Sequence, residues 1–464
     1  MVSKAGLVKG FFIYLLGNAG SKFIGLLLLP MFTYTLTQDE YGYFEVVNAA
    51  TMALLPVISF QIYEGVIRFL ITTESPSEKK SVLSSSFFAM LPLFFLFNLL
   101  FVGIAEYLKL PYRYYAILFF DSYFLSFYFL RAARGLHKQF DFSVAGILSA
   151  VGVAGAAYLL LSLTSLRTEA LLLSFSIGNA AAIVYLLFRL RFFSFVSPSA
   201  FSPKLVREMF AYSFPLLFDA VFWWVMTLSD RLLLGYFQGS SLVGIYSVAN
   251  KFPSILLFVN SIFYLAWQEH AILQENSAER MKRYAEVFRV FSGLQVGAFI
   301  LLLPVSKILI QQTIAPGFDS AQHYLPFLFA GAMFSAFSAF FGLKYQLKKE
   351  TMGALYTSMT GAGVNLLFNI ILIPLWGAWA AAASTTLSFF IMWVLRIRNS
   401  EDFIPASMLP ARQLFFSFLL CGVWSGLYYF ADGWLLYAYT AVSLMIALSL
   451  NRSFAVMLMK RFRG

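Results

Sequence analysis

Residues 41–48 read YGYFEVVN, and residues 243–250 read VGIYSVAN. Gly42 matches Gly244, Phe44 matches Tyr246, Val46 matches Val248 and Asn48 matches Asn250. In an apolar chain, a Gly-x-aromatic-x-Val-x-Asn signature repeated at long spacing points to two structurally equivalent halves. Among membrane proteins, duplicated halves point to a transporter whose substrate lies between them.

The composition sets the environment. The chain has 464 residues, of which 60% are hydrophobic and only 12% charged, against roughly a quarter charged in soluble domains. Runs such as FFIYLLGNAGSKFIGLLLLPMFTYTL, residues 11–36, are of spanning length, since about 20 residues cross the hydrocarbon. The first run is too long for a signal-peptide core, and no small-residue cleavage site follows it, so it is expected to be retained. The single cysteine, Cys421, excludes an internal disulfide. The three histidines, His137, His270 and His323, have no metal-ligand spacing, so neither a metal nor a cofactor is expected.

The net charge of +11 would suit nucleic acid, but its distribution argues otherwise. Lys and Arg gather in alternate connections: Lys4 and Lys9; Arg68, Lys79 and Lys80; Arg131, Arg134 and Lys138; Arg189, Arg191, Lys204 and Arg207. The series continues through Arg280, Lys282 and Arg283; Lys344, Lys348 and Lys349; Arg396, Arg398 and Arg412; and Lys460, Arg461 and Arg463. The intervening connections carry only Lys109, Arg113 and Arg167. By the positive-inside rule the basic loops and both termini are cytoplasmic. The basic excess reports topology rather than a nucleic-acid partner.

Apolar runs between these loops predict about 14 spans. They fall near 10–36, 41–70, 82–108, 111–136, 139–164 and 169–192, then 206–237, 241–272, 284–311, 321–347, 351–375 and 377–398, with a further pair near 411–431 and 434–456. The expected organisation is a six-helix lobe over 1–193 and a cytoplasmic linker over 194–205 (SFVSPSAFSPK lies here). A second six-helix lobe then covers 206–400, and two additional helices lie within 401–464. Both copies of the signature open the second span of a half, which makes the repeat a parallel one.

The stretches KFIGLLLLPMFTYTLTQDEYGYFEVVN (22–48) and SDRLLLGYFQGSSLVGIYSVANK (229–251) resemble the polysaccharide flippases of the Wzx type. These belong to the multidrug/oligosaccharidyl-lipid/polysaccharide exporter superfamily. The resemblance implies an all-α polytopic protein with two six-helix lobes around a central cavity, working by alternating access. It further implies movement of undecaprenyl-pyrophosphate-linked oligosaccharide to the outer leaflet of the bacterial cytoplasmic (inner) membrane. A polysaccharide polymerase and glycosyltransferases would then be partners beside the lipid bilayer.

Ionisable residues at bilayer depth are costly and face a cavity or a partner. Lys22 lies near the middle of span one, on a stripe with Asn18, Ser21 and Gly25. It either attracts a substrate phosphate or is neutralised by a buried acid such as Asp121 or Asp219. Arg231 and Lys251 suit a pyrophosphate by bidentate and point-charge contacts respectively. Alternatively they clamp helices together through Asp230 and Glu45, or Arg231 snorkels to its helix end. Glu64 and Arg68 stand in the favoured order for an i, i+4 pair, and Arg68 is also placed to meet an incoming phosphate. Asp219 is a candidate ion-coupling carboxylate. Asn48 and Asn250 either hydrogen-bond sugars or tie neighbouring helices.

No G-x-x-x-x-G-K-[ST] loop, catalytic triad or metal cluster appears. No enzyme activity is therefore expected. The competing readings are a cation-coupled multidrug extruder, a lipid II flippase and a membrane glycosyltransferase or polymerase. The extruder should prefer acids in its cavity, and the enzymes need a large extramembrane loop.

Overall fold

The computed structural model describes residues 25–260, 263, 278–348 and 351–451. Among these residues the protein is helical throughout, with no strand. The helices are α1 (Leu29–Thr35), α2 (Gln38–Ser59), α3 (Ile62–Thr72), α4 (Pro76–Tyr107), α5 (Arg113–Gly135), α6 (Gln139–Leu163) and α7 (Thr168–Arg189). They continue as α8 (Pro203–Gln238), α9 (Ser240–Lys251), α10 (Ala278–Thr313), α11 (Leu325–Lys348), α12 (Thr351–Trp376), α13 (Ala378–Arg398), α14 (Ala411–Tyr428) and α15 (Trp434–Leu450). Ten helices among the described residues are long and apolar enough to cross a membrane, or eleven with one bent pair. This is a multi-pass membrane protein.

The chain divides between Trp224 and Val225, inside α8, into two compact units. In the first unit, α6 packs on α7, α5 on α7 and α3 on α5. The approach of α6 to α7 depends on small residues. A Cβ on Gly178 would lie 2.9 Å from the backbone nitrogen of Val153, so only glycine permits this crossing. The segment expected as a linker is docked on the serine face of α4. The backbone N–H of Ser202 donates to Ser85 Oγ at 2.9 Å, that of Ser197 to Ser84 Oγ at 3.0 Å, and Ser81 Oγ to the Ala200 carbonyl at 2.9 Å.

In the second unit, α11 and α12 both pack on α13, and α10 packs on α14 and α15. The turn of the last hairpin, between α14 and α15, is held by Lys307, a buried residue of α10. Its ammonium donates to the carbonyls of Tyr428 (3.1 Å) and Ala431 (2.8 Å) and pairs with Asp432 at 2.9 Å. Trp424 stacks on Tyr439 at 4.6 Å, and its indole N–H donates to Ser443, so α14 and α15 are also joined to each other.

Two expected spans are not single helices. The span read as 41–70 breaks at Phe60 and Gln61, whose φ angles are 47° and 58°. Pro56 cannot donate to the preceding turn, and the Gln61 N–H returns to the Pro56 carbonyl at 3.1 Å. The start of this span matches its sequence. Thr37 and Glu40 form a reciprocal capping box, at 3.2 and 2.8 Å, which satisfies two otherwise orphaned amides. The span read as 241–272 bends by 44° between Ser240–Lys251 and Pro253–Asn260, where Pro253 again removes a helical donor.

Candidate functional site

Among the described residues, two buried charged side chains stand next to each other at the α8–α9 hairpin of the second unit. α8 ends at Gln238 because Gly239 follows with φ 88°, a conformation that favours glycine. The Gln238 amide then donates to the carbonyls of Ile373 and Pro374 at 3.0 and 3.1 Å, fixing the hairpin to the end of α12. Two turns earlier on α8, Asp230 and Arg231 are both buried.

Their partners come from the repeated signature itself. The Tyr246 hydroxyl donates to Asp230 Oδ2 at 2.5 Å, and Arg231 Nε donates to Ser247 Oγ at 3.2 Å. Asp230 Oδ1 accepts the backbone N–H of Arg231 at 2.9 Å, and an Arg231 terminal nitrogen donates to the Thr227 carbonyl at 3.3 Å. Arg231 therefore does not snorkel; its guanidinium is buried and satisfied between two helices. The Tyr246–Asp230 bond joins α9 to α8. Lys251 closes α9 and is half-buried. Asn250 donates to the Tyr246 carbonyl of its own helix at 2.9 Å, rather than to a neighbouring helix.

A neutral polar cluster lies one residue before Asp230. Ser229 Oγ is 3.3 Å from Asn365 Oδ1, which also accepts from Asn369 Nδ2 at 3.1 Å, while Asn365 Nδ2 reaches Thr385 Oγ1 at 3.4 Å. Ser229, Asn365, Asn369 and Ser384 are buried, and Asn369 Oδ1 and Ser384 Oγ have no hydrogen-bond partner. Sequence reasoning missed this group. Its members are uncharged and come from three separate helices, so only the fold brings them together.

In the first unit the equivalent signature is arranged differently. Glu45 is buried and accepts from Tyr41 Oη at 2.9 Å, on the same helix. Asn48 is half-buried. The expected Glu64–Arg68 pair is replaced: Glu64 pairs with Arg131 of α5 at 3.0 Å, and Arg68 is exposed. Arg131 wins because its guanidinium also lies over the rings of Phe127 (5.7 Å) and Tyr63 (6.0 Å), giving a prepared position. Asp121 accepts from Asn98 at 3.0 Å, and Asp219 is half-buried on α8. Lys22 lies outside the described residues.

Two further cations were counted only as topology signals. Arg396, in the last turn of α13, is buried and donates to the Ser338 carbonyl (2.7 Å), Thr357 Oγ1 (3.1 Å) and Ser358 Oγ (3.1 Å). Lys344 pairs with Asp402 at 2.8 Å and donates to the Asn399 carbonyl. Among the described residues, no group of three His, Cys, Asp or Glu side chains could hold a metal ion.

This architecture is that of a known class of membrane transporter. The protein is similar to the lipid II flippase MurJ in its inward closed conformation, with a TM-score of 0.73, 12% identity and coverage of 98% of this chain and 100% of that one. It is also similar to an inward-facing multidrug resistance MATE family transporter of the MOP superfamily. There the TM-score is 0.60, with 12% identity over 84% of this chain and 94% of that one. At such identities the likeness establishes the fold alone. Residues 7–267 match the model of the polysaccharide biosynthesis protein family, more than half of the chain, and the protein belongs to that family. A sequence relative, an uncharacterized membrane protein of Methanocaldococcus jannaschii, is 28% identical over 210 residues, 42% of this chain. The chain spans 40% of that relative's length.

Proposed function

We propose that this protein is a flippase that moves undecaprenyl-pyrophosphate-linked oligosaccharide from the cytoplasmic to the outer leaflet by alternating access. The observation that carries this reading is membership of the polysaccharide biosynthesis family, on a fold shared with a lipid II flippase. The physical logic is that a pyrophosphate and its sugars cannot enter hydrocarbon without a polar path. In this reading the chain has 14 spans in two parallel six-helix lobes plus a last pair. It lies in the bacterial inner membrane with both termini cytoplasmic, and it performs no bond chemistry itself.

Lys22, Lys251, Arg68 and Arg231 then contact the pyrophosphate. Arg231 would exchange Ser247 for a phosphate oxygen as the hairpin opens, with Asp230 retaining Tyr246. Glu45, Glu64, Asp219, Asn48 and Asn250 supply gating, ion-coupling or sugar contacts. Polymerase and glycosyltransferases are the partners that consume and supply the substrate.

The test reconstitutes the full chain in liposomes and follows outward movement of a prenyl-pyrophosphate-linked glycan. Single replacements of Lys22, Lys251, Arg68 and Arg231 by Ala are expected to slow movement by about tenfold or more, the value of one lost charge-assisted contact. Normal transport by all four folded variants would refute the phosphate cradle. Efflux of cationic drugs with no glycan movement would refute the flippase reading itself.

A further inference from the structure

We propose that the basic end of the last hairpin holds the headgroup of an anionic phospholipid, at a site separate from the path of the transported substrate. The site is an open groove of about 580 Å³ lined by Arg289 of α10 and by Leu409, Pro410, Arg412, Gln413 and Phe416 at the start of α14. The Gln413 amide donates to the Arg289 carbonyl at 3.2 Å and approaches Ser292 Oγ at 3.5 Å, which fixes the first turn of α14 beside α10.

Charge, level and apolar surroundings all point to a lipid. Both guanidinium groups are exposed, and neither is joined to a carboxylate among the described residues, although Glu286 lies one turn before Arg289. The arginines therefore present their planar donors outward, where they match the oxygens of a phosphodiester. The N-terminal amides of the 18-residue α14 add positive potential at the same place.

α10 has 36 residues. At about 1.5 Å per residue it is far longer than the roughly 30 Å hydrocarbon, so its basic start extends into the headgroup region. Arg289 and Arg412 line the same groove near that end of α10. Arg412 lies 5.9 Å over the Phe416 ring, and the exposed Phe415, Phe416 and Leu419 continue along α14. Paired positive charge above a lipid-facing apolar strip fits an amphiphile with a phosphate at its head. Basic pockets between transmembrane helices are recognised lipid-headgroup sites for this reason.

Native mass spectrometry of the full chain, offered equal phosphatidylglycerol and phosphatidylcholine of identical acyl chains, tests the proposal. The wild type should retain phosphatidylglycerol with a preference of roughly thirtyfold, the value of two interfacial arginines. The double variant Arg289→Gln/Arg412→Gln should lose most of that preference, and each single variant part of it. Lys282→Gln/Arg283→Gln, one to two turns earlier on α10, should keep it. Three outcomes would overturn the site: equal retention of the two lipids, an unchanged preference in the Arg289/Arg412 variants, or an equal loss in the Lys282/Arg283 control. Displacement of the lipid by millimolar glycerol 3-phosphate would also overturn it, because the groove would then be a soluble-anion site. If the double variant does not remain monodisperse, the two single variants decide the question.

Discussion

The two segments that carry the signature, one in each compact unit, differ in two ways. The first difference is where the helix breaks. In the first half α2 continues to Ser59, well past Asn48, and stops at two left-handed residues. In the second half α9 stops at Lys251, directly after Asn250, and Phe252 stays right-handed at φ −73° while the axis bends by 44°. The second difference is how the acid is held. Glu45 and Tyr41 lie on one helix, whereas Asp230 and Tyr246 lie on two. The shared Gly and aromatic positions are buried in both copies. The breaks lie after the signature, at Phe60 and Gln61 and at Pro253, whereas the acids are held by its variable positions, so two similar segments acquire unequal mechanics.

The largest expected effect tests the second difference. Arg231→Ala removes the buried guanidinium that bonds Ser247 and the Thr227 carbonyl, and with it the positive charge next to buried Asp230, and should lower stability by about 3 kcal/mol. Tyr41→Phe removes the one hydroxyl donated to Glu45 within α2 and should cost about 1 kcal/mol, the value of one hydrogen bond. Unfolding midpoints of the two variants in the same detergent measure the contrast. Equal losses would show that the two halves hold their acids equivalently, and the asymmetry argued above would fail.

A smaller effect tests the break itself. Gln61 combines a left-handed backbone with a buried Oε1 that has no hydrogen-bond partner. Gln61→Gly removes both penalties and should raise stability by about 1 kcal/mol. Pro253→Gly offers no such gain, because the second break uses a proline and no left-handed residue; the added backbone freedom should lower stability by about 1 kcal/mol. Thermal midpoints that move the same way in both variants would mean the breaks share one origin.

These contrasts also mark what the sequence could disclose. Spans are legible because about 20 apolar residues are needed to cross hydrocarbon, and the start of α2 is legible because Thr37 and Glu40 stand three apart. The left-handed pair is not, since neither Phe60 nor Gln61 is a residue type that announces positive φ. Arg231 is legible as an intramembrane cation, but its link to α9 is not, because Ser247 reads as an ordinary helix residue. Arg396 and Lys344 have a structural part that the charge pattern does not disclose. Their position near helix ends satisfied a topology rule while their side chains fill buried polar cages. The Ser229–Asn365–Asn369 cluster carries no charge and no spacing signal, so it becomes visible only when three helices are packed.

The smallest expected effect concerns Glu64, where proximity in sequence and proximity in space disagree. Spacing offers Arg68 as its partner, one turn along α3, yet the carboxylate is 3.0 Å from Arg131 on α5. An i, i+4 pair contributes only a few tenths of a kcal/mol, too little to outweigh a guanidinium already held over two aromatic rings. Arg131→Gln should therefore destabilise the first unit by about 1 kcal/mol, combining a half-exposed ion pair with a cation–π contact. Arg68→Gln should change stability by less than about 0.5 kcal/mol. A double-mutant cycle through Glu64→Gln separates the two, since coupling should appear with Arg131 and vanish with Arg68. Coupling to Arg68 instead would make α3 a self-contained helix. The α3–α5 contact would then rest on apolar packing alone, leaving Arg131 without a part in holding the segment that follows the break.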